Sequence, residues 1–116
     1  MFKKIKSSIR DIKTGENCTI VEPVNLYECE LGSNVFIGPF VEIQSGARIG
    51  SGCRIQSHSF ICEMVTIGDY STVAHGVMFI NDPFKNGGPA RGDQSAWRET
   101  VIGNRVSIGS NATILP

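Results

Sequence analysis

His58 and His75 are the only two histidines of the chain, and Glu63 and Asn81 lie close to them in sequence. An imidazole exchanges a proton near neutral pH, so either histidine is a candidate general base. A carboxylate such as Glu63 can orient an imidazole or meet an amine. The Asn81 amide can accept a hydrogen bond and aim a nucleophile, but it cannot take a proton. Each histidine taken alone also reads as an ordinary polar residue of an outer surface. No metal is expected. A carbonic-anhydrase-like zinc site needs three histidines, and the four cysteines, Cys18, Cys29, Cys53 and Cys62, form no CxxC pair.

The elements that position these residues show in a period of six. Every sixth residue from Leu31 is apolar: Leu31, Ile37, Ile43, Ile49, Ile55, Ile61, Ile67, Val73 and Phe79. The phase resumes at Ile102, Ile108 and Ile114. Two residues before these positions stand small or β-branched residues, among them Val35, Val41, Ala47, Cys53, Ser59, Val65, Ser71 and Val77. Helices repeat at about 3.6 and strands at 2, so neither gives this pattern alone. Six residues per side and three sides per turn give a triangular coil, an all-β parallel β-helix with the aliphatics inside. Each inward residue then stacks on the one 18 later, Leu31 on Ile49 on Ile67 for example. The glycines after several aliphatics, such as Gly50 and Gly68, suit corners of unusual φ/ψ. Roughly five coils are expected over residues 16–116. Residues 1–15 show no convincing repeat and are expected to be a poorly ordered lead-in.

Between Phe79 and Ile102 the phase fails, and about 17 residues are inserted at one corner. Insertions in solenoids map to loops, often on the binding face. This loop, about 82–99, carries the only Trp (Trp97), Phe84, Arg91 and Arg98. Its aromatic residues point to docking against a neighbouring subunit, against the alternative of an idle excursion. His58 and His75 are 17 apart, so they should lie on adjacent coils, offset by one residue. Asn81, His75, His58 and Glu63 are expected to cluster at the root of the loop.

Bulk properties remove other classes. The 116 residues allow one domain, and 11 basic against 11 acidic residues leave no footprint for nucleic acid or an anionic membrane. No apolar run approaches the roughly 18 residues of a spanning helix, and the basic start has no apolar stretch of a secretory signal. Four free thiols in a reducing cytoplasm are the expected state of the cysteines.

The runs Cys53–Glu63, Ala74–Asp82, Gly87–Gly92 and Val106–Pro116 resemble the hexapeptide-repeat sugar N-acyltransferases. The likeness is greatest to the branch that acetylates the 3-amino group of UDP-2-acetamido-3-amino-2,3-dideoxyglucuronate for bacterial surface polysaccharide. That resemblance implies a left-handed coil and a cytoplasmic homotrimer with sites between subunits. It also implies acetyl-CoA as co-substrate and a nucleotide-linked amino sugar as acceptor. Ser107, Gly109, Asn111 and Ala112 would hold the pantetheine arm. Asn81 would aim the sugar amine, with His75, then His58, then water or the departing thiolate as proton acceptor. Glu63 would orient a histidine or contact the amine. Arg91 would pair with a sugar carboxylate or the diphosphate, and Tyr27 would contact the uridine. Family members run several coils past the loop, whereas this chain reaches Pro116 after one, so a fragment or truncated product is expected. The non-enzymatic alternative is a homologue that acts only as a trimeric scaffold.

Overall fold

The computed structural model describes residues 1–116. Sixteen short strands stack into three parallel sheets, which form the faces of a prism. Face A stacks β1 (Ile9–Arg10), β4 (Asn25–Tyr27), β7 (Glu42–Ile43), β10 (Phe60–Ile61), β13 (Met78–Phe79) and β16 (Thr113–Ile114). Face B stacks β2 (Lys13–Thr14), β5 (Glu30–Leu31), β8 (Arg48–Ile49), β11 (Val65–Ile67) and β14 (Thr100–Ile102). Face C stacks β3 (Thr19–Ile20), β6 (Phe36–Ile37), β9 (Arg54–Ile55), β12 (Thr72–Val73) and β15 (Ser107–Ile108). The fold is a left-handed parallel β-helix of five coils and one further strand. Its one helical element is a 3-10 turn, Gln94–Ala96, inside the loop. No helix is long and apolar enough to cross a membrane.

The register follows the period of six. Leu31 pairs with Ile49 and Ile49 with Ile67; Ile37 pairs with Ile55 and Ile55 with Val73. Past the loop, Ile67 pairs with Ile102, Val73 with Ile108 and Phe79 with Ile114. All nine inward residues from Leu31 to Phe79 are at most 4% exposed. Each such side chain contributes roughly 1.5–3 kcal/mol by leaving water.

Two expectations need correction. The coil begins at Ile9, ahead of the boundary expected at residue 16, because Ile9 pairs with Leu26 and Lys13 with Glu30. The repeat is hard to see there for two reasons: the step from Ile9 to the next inward residue is five, and that residue is Thr14. The glycines after the aliphatics do not supply the left-handed backbone. That conformation recurs three residues past each aliphatic, at Asn34, Phe40, Gly46, Gly52, His58, Met64, Tyr70 and Gly76. Gly68 is instead a close-approach position, since a Cβ there would lie 2.6 Å from the carbonyl carbon of Gly103 in the next coil.

The small inward residues also satisfy polar groups that the corners leave unpaired. Ser59 Oγ donates to the Ala74 carbonyl at 2.8 Å and accepts from the Val77 N–H at 3.2 Å. Ser71 Oγ donates to Gly103 O at 2.9 Å, and Cys53 Sγ to Gly68 O at 3.0 Å. At the B/C edge the Ser33, Ser51 and Asp69 amides donate in turn to Ser51, Asp69 and Asn104 side chains on the next coil. All four cysteines are free, and burial pushes the Cys29 and Cys62 thiols up to about 11.

Ile55 sits at the centre of this stack, fully buried between Ile37 and Val73. Ile55→Asp is expected to abolish cooperative unfolding, because an unpaired buried charge costs several kcal/mol. Ile55→Val should cost about 1 kcal/mol and keep the transition. Urea denaturation followed by circular dichroism reads both, and a cooperative, undiminished transition in Ile55→Asp would contradict this packing.

Candidate functional site

The chemistry-bearing residues gather on two edges of the prism, at opposite ends of face A. The A/B edge is formed by the corners that lead from face A to face B. Its fifth crossing is the loop between β13 and β14. Asn81 stands at the root of that loop and is 9% exposed. Its Nδ2 donates to the Glu63 carbonyl at 3.1 Å, and its own carbonyl accepts from the Arg98 N–H at 2.8 Å. The two ends of the loop are thereby tied together. Below it, the Glu63 N–H meets Gln44 Oε1 at 3.4 Å, and Gln44 Nε2 donates to Glu42 Oε2 at 3.3 Å. Tyr27 completes the group. Partial burial, then the charges of Glu42 and Glu63, raise its phenol above the usual range, and the Arg10 guanidinium lies 4.7 Å over its ring. Three expected site residues, Tyr27, Glu63 and Asn81, therefore share one edge.

Gln44 and Arg10 belong to the same group, Glu42 lies beside it on the outer side of face A at the start of β7, and none of the three was singled out by residue type. The signal for two of them was the coil period: Gln44 lies 17 after Tyr27 and 19 before Glu63. Arg10 lies 17 before Tyr27 and pairs with it in register.

The loop is built around two aspartates. Asp82 accepts from the Phe84 N–H at 3.0 Å and from the Ala90 N–H at 2.7 Å, so one carboxylate holds both arms of its tip. Asp93 caps the 3-10 turn, and its hydrogen bonds from the Ser95 hydroxyl and N–H hold its carboxyl below the usual range. Arg98 Nη1 donates to the carbonyls of Ser95, Ala96 and Trp97, which makes it a structural residue of the turn. Arg91 is exposed and free of such bonds, with φ of 56°. Trp97 is half-buried, while Phe84 stays 53% exposed.

His58 and His75 stand on the C/A edge, not at the loop root. His75 is six residues before Asn81, one whole side of the triangle, and His58 is in the same relation to Met64. At about 3.3 Å per residue, a side separates the two edges by roughly 15–20 Å, far beyond hydrogen-bond reach. The expected four-residue cluster within one chain is therefore split into two pairs. The offset expected for the histidines does hold, since His58 aligns with Gly76 and both have positive φ. Both histidines are exposed, and the His58 ring packs on Phe40 with centroids 5.0 Å apart. Directly above His75, the Asn111 N–H donates to the His75 carbonyl at 2.9 Å. Ser107, on β15, and Gly109, Asn111 and Ala112, along the C/A edge, rise over the histidines. Nowhere do three or more His, Cys, Asp or Glu side chains converge as metal ligands.

Residues 28–63 match the bacterial transferase hexapeptide family (six repeats). The chain is 35% identical to acyl-[acyl-carrier-protein]–UDP-N-acetylglucosamine O-acyltransferases of Brucella ovis, Brucella canis and Brucella suis over 113 residues. The alignment covers 84% of this chain and 41% of each relative, so the chain spans well under half the length of these proteins.

Asp82→Ala is expected to release the loop tip while leaving the coils intact. Hydrogen exchange should show amides 83–92 losing protection, with the strands of faces B and C unchanged. Unchanged protection at Ala90 would contradict the role of this carboxylate.

Proposed function

For a chain of the hexapeptide-repeat transferase family, we propose the role of an acyltransferase that moves an acetyl group from acetyl-CoA to the amine of a nucleotide-linked sugar. The acceptor is the 3-amino group of a UDP-2-acetamido-3-amino uronic acid, in bacterial surface polysaccharide synthesis. The observation that carries this reading is the division of the reactive residues between two edges of face A. One edge holds Asn81 and Glu63 under a loop; the other holds His58 and His75 under Ser107–Ala112. A single prism keeps them apart, and a cytoplasmic homotrimer, in which the A/B edge of one subunit faces the C/A edge of the next, brings them together.

The reaction suits such a cleft. A neutral sugar amine attacks the thioester carbonyl; the C–N bond forms, the C–S bond breaks and coenzyme A leaves as the thiol. Thioesters are reactive, so positioning and an N–H donor for the oxyanion do most of the work. Asn81 has its Nδ2 engaged with Glu63, which leaves its Oδ1 to accept from the amine. His75 takes the proton, or passes it through water to the departing thiolate. Arg91 on the exposed loop reaches a carboxylate or diphosphate.

The names of the relatives favour a second reading, in which the acceptor is a hydroxyl and the donor an acyl group on a carrier protein. A hydroxyl needs a general base far more than an amine does. His75→Ala should then lower kcat by about 10²–10⁴-fold, and much less for an amine.

Asn81→Ala should reduce kcat/KM for the amino sugar at least tenfold. Asn81 is buried and hydrogen-bonded beside the hydrophobic core, so the same change should cost about 1 kcal/mol of stability. Unchanged kcat/KM in a folded variant would remove the loop root from the active site, and absence of any transfer from labelled acetyl-CoA would favour a trimeric scaffold. Sedimentation equilibrium at micromolar concentration should give three times the 12.6 kDa chain mass, and a monomer would contradict the shared cleft.

A further inference from the structure

A pocket of about 200 Å³ opens low on the C/A edge, one coil below His58 and away from the loop. Ser7, Pro23, Asn25, Phe40 and Glu42 line it. It is smaller than the roughly 300–1,000 Å³ that holds a drug-sized ligand, so it suits one ring of a larger molecule. Its lining combines an aromatic ring with an amide and a carboxylate. The Ser7 hydroxyl is already committed to the Val24 carbonyl at 2.8 Å, and Glu42 receives Gln44 on one oxygen only. No protein hydrogen bond engages the Asn25 side chain or the second oxygen of Glu42.

Phe40 is the unusual residue of this wall. It is 57% exposed and holds φ of 62°, a backbone conformation that bulky side chains seldom adopt. Glycine occupies the equivalent place at Gly76, two coils above. The left-handed corner itself is shared with Asn34, His58, Met64 and Tyr70; what sets Phe40 apart is an aromatic ring that lines a pocket and covers no core. The ring also packs against His58 on the next coil, which extends the aromatic surface up the edge.

We propose that this pocket takes the pyrimidine base of the nucleotide-linked acceptor, stacked on Phe40, with the base N3–H donating to Glu42 and its carbonyl accepting from the Asn25 amide. The inference rests on the nucleotide-sugar reading above and places the base on the C/A edge, whereas Tyr27, the residue expected to meet uridine, stands on the A/B edge. The spacing fits an extended nucleotide sugar. Phe40, His58 and Gly76 follow one another at one coil each, about 4.8 Å per step. A base at Phe40 lays its diphosphate across Ser57 and His58 and delivers its sugar to His75, below Ser107–Ala112.

Isothermal titration of the full chain with UDP, and separately with inorganic pyrophosphate, tests this. Phe40→Gly is the informative variant, because glycine suits the backbone there and removes the ring without a folding penalty. It should weaken UDP binding about five- to hundredfold, the worth of one base–aromatic stack, and leave pyrophosphate binding unchanged. Glu42→Gln should weaken UDP about tenfold by the same comparison. Equal UDP affinity in the parent and in Phe40→Gly overturns the pocket and leaves the nucleotide-sugar reading standing. A parallel loss for UDP and pyrophosphate also overturns it, since the ring would not then be reading the base. No UDP binding by the parent at millimolar concentration overturns the pocket and the nucleotide acceptor together. Phe40-dependent UDP binding without acetyl transfer supports the pocket and removes the transferase reading.

Discussion

Every coil of this protein is held to the next by backbone pairing at a fixed register, and that register is enforced from inside. Leu31, Ile49, Ile67 and Ile102 form one column, and equivalent columns run up the other two faces. A slip of one residue would turn each aliphatic outward and bring a polar neighbour such as Arg48 or Thr66 into the prism. The prism has no second layer to absorb such an error, because each face buries only one side. Placement of every outer residue, including those with reactive side chains, follows from these columns.

Corners are where such a fold is in difficulty. Three turns per coil leave backbone groups that no strand pairing satisfies, and a buried unpaired group costs on the order of 1–3 kcal/mol. Here the small inward residues answer the problem. Ser59, Ser71, Cys18 and Cys53 donate to carbonyls of the coil above, and the Ser51, Asp69 and Asn104 side chains accept from corner amides of the coil below. This gives Cys18 and Cys53 a structural role at their corners. At those positions a thiol is small enough for the corner and polar enough to meet a carbonyl.

The three edges are not equivalent. Coil length varies at the A/B edge alone: one residue is missing there in each of the first two coils, and the long loop enters there in the fifth. The B/C edge carries the side-chain ladder and the Arg105–Tyr70 contact, and it is the most regular. The candidate site residues lie on the two edges that flank face A. The A/B edge tolerates insertion, because the loop is closed at its root by Asn81 and Arg98 before the prism resumes. The C/A edge is continuous and presents a rising series of exposed side chains from Phe40 to Asn111.

The sequence by itself determined the inward columns, the 18-residue register and the size and place of the loop. A buried residue must be apolar wherever it recurs, so a period of six in Ile, Leu and Val leaves little freedom. The same period separates the reactive candidates: Asn81 and His75 differ by six and so stand a full side of the triangle apart, whereas Tyr27, Gln44 and Glu63 lie one coil apart and share an edge. What the period could not do is separate glycines that permit close approach, such as Gly68, from corner residues with positive φ, such as Phe40 and His58. That distinction depends on how one coil lies over the next, and only stacking the coils decides which outer side chains meet.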